Sequence, residues 1–214
     1  MTWFLDHLDE VGSLLVTHAA LAVIPLVIGL LLAIPLGWLA VRYRLLRTPL
    51  IAGTGLLYTI PSLALFILMP LVLGTGILDP VNVVVALTIY TVALLVRTVA
   101  DGLGSVPDEV AQAATAMGIG RIRRFFTVEL PLAVPVISAG LRVAAVSNVS
   151  IVSVAALLGI AQLGSLFTDG FARNFLDPIL VGILTCMLLA VALDLVIHGL
   201  TRLFTPWLSV GRTS

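Results

Sequence analysis

The chain has 214 residues, of which 60% are hydrophobic and only 10% are charged, and its mean hydropathy is +1.21. A soluble domain of this size needs a polar surface that such a composition does not supply, so an integral membrane protein is indicated. The formal net charge is zero, which provides no overall field for binding nucleic acid.

The first thirteen residues are predicted to form an extracytoplasmic N-terminal segment. Their charged residues are acidic, whereas a secretory signal begins with basic residues, so we expect the segment to be retained. A short interfacial helix is also expected, because four apolar residues fall on one helical face: Trp3, Phe4, Leu5 and Leu8.

Long apolar runs predict the membrane spans. A spanning helix needs about 20 predominantly apolar residues. Five segments meet this requirement: 14–41, 50–73, 81–100, 132–160 and 178–204. Because the runs are long and continuous rather than short and alternating, they favour helices over a β-barrel. The predicted fold is therefore all-α, with five transmembrane helices.

Arginine placement predicts the orientation. Arginines follow the first span, occupy the segment between the third and fourth spans, and close the chain, at positions 42, 44, 47, 121, 123, 124, 202 and 212. The opposite side carries acidic residues and a single base, Arg173. Because basic residues stay in the cytoplasm, the N-terminus is predicted to lie outside and the tail 205–214 in the cytoplasm.

Residues 101–131 are then a long cytoplasmic loop. Pro107, Asp108 and Glu109 are typical of a helix start, and Gly118 can end that helix. A second short helix, "RIRRFFTVEL", is predicted to stop before Pro131. Two such helices can form a docking shelf for another protein, although an amphipathic loop lying on anionic lipid is an alternative.

The spacing within this loop resembles the EAA loop of ATP-binding-cassette importer permeases. That pattern is Glu-Ala-Ala, three residues, Gly, nine residues, an aliphatic residue, one residue and Leu-Pro. It is matched here by Gln112-Ala113-Ala114, Gly118, Val128 and Leu130-Pro131, with Gln112 in place of the glutamate. The resemblance implies that these residues couple the chain to an ATPase, together with two basic residues of the loop, Arg121 and Arg123. All three arginines of the cluster, with Arg124, are expected to meet lipid headgroups or acidic groups of the ATPase.

Two further stretches, 58–76 and 129–164, are similar to permeases for glycine betaine, choline and carnitine. The resemblance implies a type I importer permease in a bacterial inner or plasma membrane, paired with a second permease, the same or homologous. Separate ATPase subunits would bind ATP and Mg, and an extracytoplasmic binding protein would deliver an osmoprotectant. This chain should bind no cofactor, since it lacks the lysine of a phosphate-binding loop. Import of another small solute, such as an amino acid, and a non-transporting membrane scaffold are the alternatives.

Polar residues inside the spans are candidates for the translocation pathway, because they are costly in lipid. The candidates are Thr59, Pro61 and Ser62 in the second span and Ser147, Asn148 and Ser150 in the fourth. Hydrogen bonding between helices is the alternative role for the fourth-span group.

Other polar residues in or near the spans are given structural roles. Pro61 is expected to kink its helix. Arg142 can pair with Asp194, and Arg97 with Asp101. The histidines His7, His18 and His198 are expected at membrane interfaces.

Overall fold

The structure is a computed structural model that describes residues 2–207, with the backbone alone for Thr2. Ten α-helices are described: α1 Thr2–Asp6, α2 Leu8–Arg42, α3 Arg44–Tyr58, α4 Ser62–Leu73, α5 Pro80–Gly104, α6 Asp108–Ala116, α7 Arg121–Arg124, α8 Leu130–Val154, α9 Ser165–Ala172 and α10 Leu176–Phe204. A π-helical turn, Phe125–Glu129, joins α7 to α8, and a 3₁₀ turn, Ala155–Leu158, follows α8. Most of the predicted tail, residues 208–214, lies outside the described residues.

Helix length and apolarity confirm the predicted spans with changed boundaries. Among residues 2–207, four helices can cross a membrane alone: α2, α5, the continuous helix 121–158, and α10. The pair α3 and α4 qualifies together, although the two helices meet at 102°. Counting that pair as one span gives the five spans that the sequence predicted.

The second span, predicted as one kinked helix over 50–73, is two helices. The chain turns directly from α2 into α3 at Tyr43 and breaks between Tyr58 and Ser62. Pro61 has an extended backbone (φ −60°, ψ 133°) and precedes the first residue of α4. Proline has no amide hydrogen to donate to the preceding turn, so a break replaces the predicted kink.

The predicted stop before Pro131 is wrong. Helix 121–158 runs through Pro131, which occupies the first turn of α8. A proline in a helix cannot donate a hydrogen bond and crowds the carbonyl one turn earlier. The π-helical turn at 125–129 lies at that position and widens the helix there. Residues 101–104 also belong to α5, so the loop predicted over 101–131 is reduced to α6 and its connections.

Glycines allow α2, α5 and α8 to pack closely in the centre of the bundle. A Cβ on Gly29 would lie 2.4 Å from Thr91 Cγ2, and one on Gly37 would lie 2.6 Å from a methyl of Val99. Both pairs are separated by the same number of residues, so α2 and α5 run parallel. Close backbone approach through small residues is typical of helix packing in membranes.

Different elements lie at the two ends of the bundle. The start of α2, the turn 74–79 and α9 lie at one end, which we call the outer end because the arginine distribution predicts it to be extracytoplasmic. Tyr43 and α6 lie at the other, the inner end. The predicted interfacial helix is α1, where Trp3 stacks on His7 at 4.3 Å and meets Phe175 edge-on. The orientation itself remains a prediction.

Candidate functional site

The short helix α6 is the central element of the candidate docking site at the inner end. It begins after Pro107 with two acidic residues in its first turn, which favourably oppose the positive end of the helix dipole. The helix ends at Ala116 and is capped by Gly118, whose φ of 79° is left-handed. The amide of Gly118 donates to Thr115 O at 2.9 Å and the amide of Ile119 donates to Ala114 O at 3.1 Å. This pair of bonds is a Schellman cap, which favours glycine at this position.

The motif alanines of α6 differ in exposure. Ala114 is buried at 2% exposure, whereas Gln112 and Ala113 are exposed. Two further apolar residues that were not predicted as site residues, Val110 and Met117, lie on the outward side, and Met117 is 73% exposed. Residues 110, 113 and 117 follow the spacing of one helical face, so α6 presents a short apolar stripe to the solvent. The i, i+3, i+7 pattern could have revealed this stripe.

Arg124 clamps α6 to the start of the fourth span. Its Nε donates to Glu129 Oε1 at 2.7 Å and its Nη1 donates to Thr115 Oγ1 at 2.7 Å, with a longer bond of 3.4 Å to Ala111 O. The prediction that Arg124 is directed at lipid or the ATPase, like Arg121 and Arg123, is therefore wrong. The partners of Arg124 belong to its own chain, and only 24% of its side chain is exposed.

The remaining predicted coupling residues surround this clamp. Arg121 and Arg123 are exposed on α7, while Leu130 and Pro131 are half-buried. Leu130 packs against the apolar cluster that contains Phe125. The structure thus brings the motif residues into one region, with the basic pair outward and Leu130 inward.

The second-span candidates lie at the break between α3 and α4. Thr59 and Pro61 are exposed and Ser62 is half-buried. The Thr59 hydroxyl donates to Leu56 O at 2.7 Å. The hydroxyl of Tyr90 on α5 donates to the carbonyl of Ile60, so the break is held against the third span.

Asn148 joins three helices. Its side chain is 2% exposed, and its amide nitrogen donates to Ala22 O on α2 at 3.2 Å and to Thr91 Oγ1 on α5 at 3.1 Å. These contacts are those of interhelical hydrogen bonding, the alternative role for this residue. Of its neighbours, Ser147 is half-buried and Ser150 is exposed on the open side of α8. A pathway role for these three residues remains a prediction.

His18 does not lie at an interface, contrary to the prediction. It is fully buried, with Nε2 3.0 Å from Val149 O and Nδ1 2.9 Å from Gln162 Oε1. The side chain of Gln162 also accepts from the amide of Gly164 at 2.6 Å. The imidazole therefore ties α2 to α8 and to the loop before α9. The sequence could not reveal this contact, because 144 residues separate His18 from Gln162.

Both predicted ion pairs form. Arg142 on α8 meets Asp194 on α10 through two bonds, Nε to Oδ1 at 2.6 Å and Nη2 to Oδ2 at 2.7 Å. The pair between Arg97 and Asp101 is longer, at 3.8 Å, and both side chains are more than half exposed. An exposed pair of this kind contributes little stability, whereas the two-pronged geometry of Arg142 fixes the relation of two helices.

Comparisons with known proteins agree with this architecture. Residues 14–210 match the family described as binding-protein-dependent transport system inner membrane component. The chain is 35% identical over 207 residues to the osmoprotectant import permease protein OsmW of Salmonella typhimurium strain LT2, covering 95% of this chain and 96% of that protein. It is 34% identical over 190 residues to the glycine betaine/carnitine/choline transport system permease protein OpuCD of Bacillus subtilis strain 168, covering 88% and 82%.

The fold is also similar to a solved structure. A chain from inward-facing conformations of the MetNI methionine ABC transporter superimposes with a TM-score of 0.82, covering 94% of this chain and 98% of that one. Their sequence identity is 19%, so this likeness shows the fold alone. It confirms the predicted type I importer permease architecture.

Proposed function

Because this chain belongs to the family of binding-protein-dependent transport system inner membrane components, we propose that it carries a quaternary-ammonium osmoprotectant across the membrane. Its relatives are permeases of ATP-binding-cassette importers. Glycine betaine, choline, carnitine and proline betaine are the solutes in question. Two relatives of at least 34% identity, which span most of the chain, are named for osmoprotectant or glycine betaine, carnitine and choline transport. That shared naming is the observation that carries the choice of solute.

In this proposal α6 is the coupling helix that docks on a separate ATPase. The outward stripe of Val110, Ala113 and Met117 supplies a small apolar surface that fits a groove in a partner. Gln112 stands beside the stripe and offers amide hydrogen bonds but no charge. The exposed Arg121 and Arg123 meet acidic groups of the ATPase or lipid headgroups at the rim.

The energy for transport comes from that ATPase, where ATP and Mg bind. The clamp of Arg124 supports coupling, because it ties α6 to the helix that continues into the fourth span. A movement of α6 is therefore transmitted to α8 through the bond between Thr115 and Arg124 and through the continuous backbone of helix 121–158. An extracytoplasmic binding protein delivers the solute at the outer end, and a second permease, identical or homologous, completes the pathway.

Uptake in vesicles tests the proposal. The chain is reconstituted with its ATPase and binding protein, and uptake of labelled glycine betaine, choline and a neutral amino acid is measured with and without internal ATP. We expect ATP-dependent uptake of at least one quaternary-ammonium solute. Uptake of the amino acid alone would refute the solute assignment while leaving the importer assignment intact.

Met117→Asp tests the docking role of α6 separately. A carboxylate in the apolar stripe must be desolvated when the helix enters a groove, so we expect loss of ATPase co-purification. Met117→Leu is the matched control, because it keeps an apolar side chain of similar volume at the same position. Normal co-purification of the Met117→Asp variant would show that this stripe is not the docking surface.

A further inference from the structure

An ion pair lies near the middle of the predicted membrane layer. Arg142 is ten residues after the start of the predicted span 132–160, and Asp194 is ten residues before the end of the predicted span 178–204. At a rise of about 1.5 Å per residue, each lies about 15 Å from the inner end of its span. The hydrocarbon core is about 30 Å thick, so both side chains are near its midplane.

The pair is not enclosed by the rest of the chain. The Arg142 side chain is 41% exposed and that of Asp194 is 28% exposed. Charged side chains at this depth face the interior of a bundle or a water-filled cavity rather than lipid. The face of the bundle that carries the pair is therefore expected to meet a second permease or an aqueous space rather than lipid.

The guanidinium of Arg142 has an unused edge. Asp194 occupies the edge formed by Nε and Nη2. The other edge, formed by Nη1 and the second hydrogen of Nη2, makes no hydrogen bond with any residue in the range 2–207. An arginine fork of this kind binds a carboxylate with two parallel bonds. The oxygens of Asp194 also keep lone pairs that can face a cation.

The surface of α8 beside the pair is exposed and mostly aliphatic. The exposed residues of α8 follow one another at intervals of three and four positions: Leu132, Val136, Ala139, Val143, Val146 and Ser150. This stripe borders Arg142 and continues toward the outer end with Ser150, while the half-buried Ser147 flanks it. A small solute can pass along such a surface and meet hydroxyl groups before it reaches the charges.

We infer that the Arg142–Asp194 pair lines the solute pathway and recognises a zwitterion, with the guanidinium binding the solute carboxylate and the aspartate facing its ammonium group. The choice of a quaternary-ammonium zwitterion rests on the proposed function. The location of the pair on the pathway rests on depth, exposure and the free guanidinium edge alone.

Cysteine labelling tests the location. Cys186, the only cysteine in the chain, is replaced by serine, and the importer is assembled with cysteine-free partners in liposomes. Val146→Cys places a thiol one turn from Arg142, and Ile24→Cys is the control near the middle of α2. The two native side chains are 43% and 46% exposed. The probe is a methanethiosulfonate that carries a trimethylammonium group.

We expect the Val146→Cys thiol to react at least about tenfold faster than the Ile24→Cys thiol, because thiolates form in water and not in lipid. Excess solute should slow the reaction at Val146→Cys. Equally slow labelling of the two variants would overturn the assignment, because the pair would then face lipid or a tightly packed neighbour.

Transport kinetics test the recognition. Glycine betaine carries a carboxylate and choline does not, so Arg142→Gln should raise the KM for betaine at least about tenfold and change that for choline much less. Asp194→Asn should raise both. A pair with only a structural role would weaken uptake of both solutes equally in both variants, and this result would overturn the recognition step. If the native importer carries neither solute, the proposed function fails, and the labelling result still decides whether the pair lines the pathway.

Discussion

Replacing Arg124 with methionine should release α6 from the fourth-span helix. The substitution removes the 2.7 Å bond to Thr115, which reaches α6, and the 2.7 Å bond to Glu129, which orients the guanidinium within its own helix. Methionine has a similar length but cannot make either bond. A hydrogen bond to a charged group contributes about 1.5–3 kcal/mol. Because the Arg124 side chain is 24% exposed, solvent screening lowers the contribution of the Thr115 bond to about 1 kcal/mol.

That loss corresponds to a roughly fivefold larger population of detached α6. The measurement is hydrogen–deuterium exchange of the peptide 108–118 in the purified permease, before any ATPase is added. Arg123→Met is the matched control, because Arg123 is the adjacent residue on α7 but is exposed. We expect faster exchange in the Arg124 variant only, and a lower ratio of solute transported to ATP hydrolysed in the full importer.

Equal exchange in the two variants would refute the reasoning, because the bonds of Arg124 would then not hold α6. Faster exchange with an unchanged ratio of solute transported to ATP hydrolysed would show that Arg124 holds α6 but that coupling does not need it.

Three further predictions concern the docking helix, the core and the orientation. Gly118→Val should abolish co-purification of the ATPase and stimulated ATP turnover, because a β-branched residue is strained at a φ of 79°; normal turnover would remove α6 from the mechanism. Asn148→Leu should lower stability in detergent by about 1 kcal/mol, from two interhelical bonds of roughly 0.6 kcal/mol each, and an unchanged melting temperature with lost uptake would favour a pathway role instead. In intact cells, a cysteine at Asp79 should react with an impermeant thiol reagent and one at Arg121 should not, and the reverse pattern would overturn the predicted orientation.

The sequence predicted the class of the protein and the position of the short helix α6. Long apolar runs are sufficient to predict spanning helices, because the lipid interior requires every backbone group to bond within its own segment. Pro107, Asp108, Glu109 and Gly118 were sufficient to locate α6, because helix starts and caps depend on residues close together in the chain. The pairing of Arg142 with Asp194 was also accessible, since two charges at similar depth in lipid need a partner.

Only the tertiary structure decided which side chains meet across the bundle. His18 resembles an interfacial residue in sequence, but its partners Val149 and Gln162 lie on other elements more than 130 residues away. Arg124 is chemically identical to Arg123, and only the folding of α6 against the π-helical turn makes one a clamp and leaves the other exposed. The same proline chemistry broke the helix at Pro61 and was accommodated at Pro131. The physical reason is that a proline lacks its amide hydrogen wherever it lies, so the missing hydrogen bond is predictable from the sequence. Packing against distant helices then decides whether the helix breaks or widens.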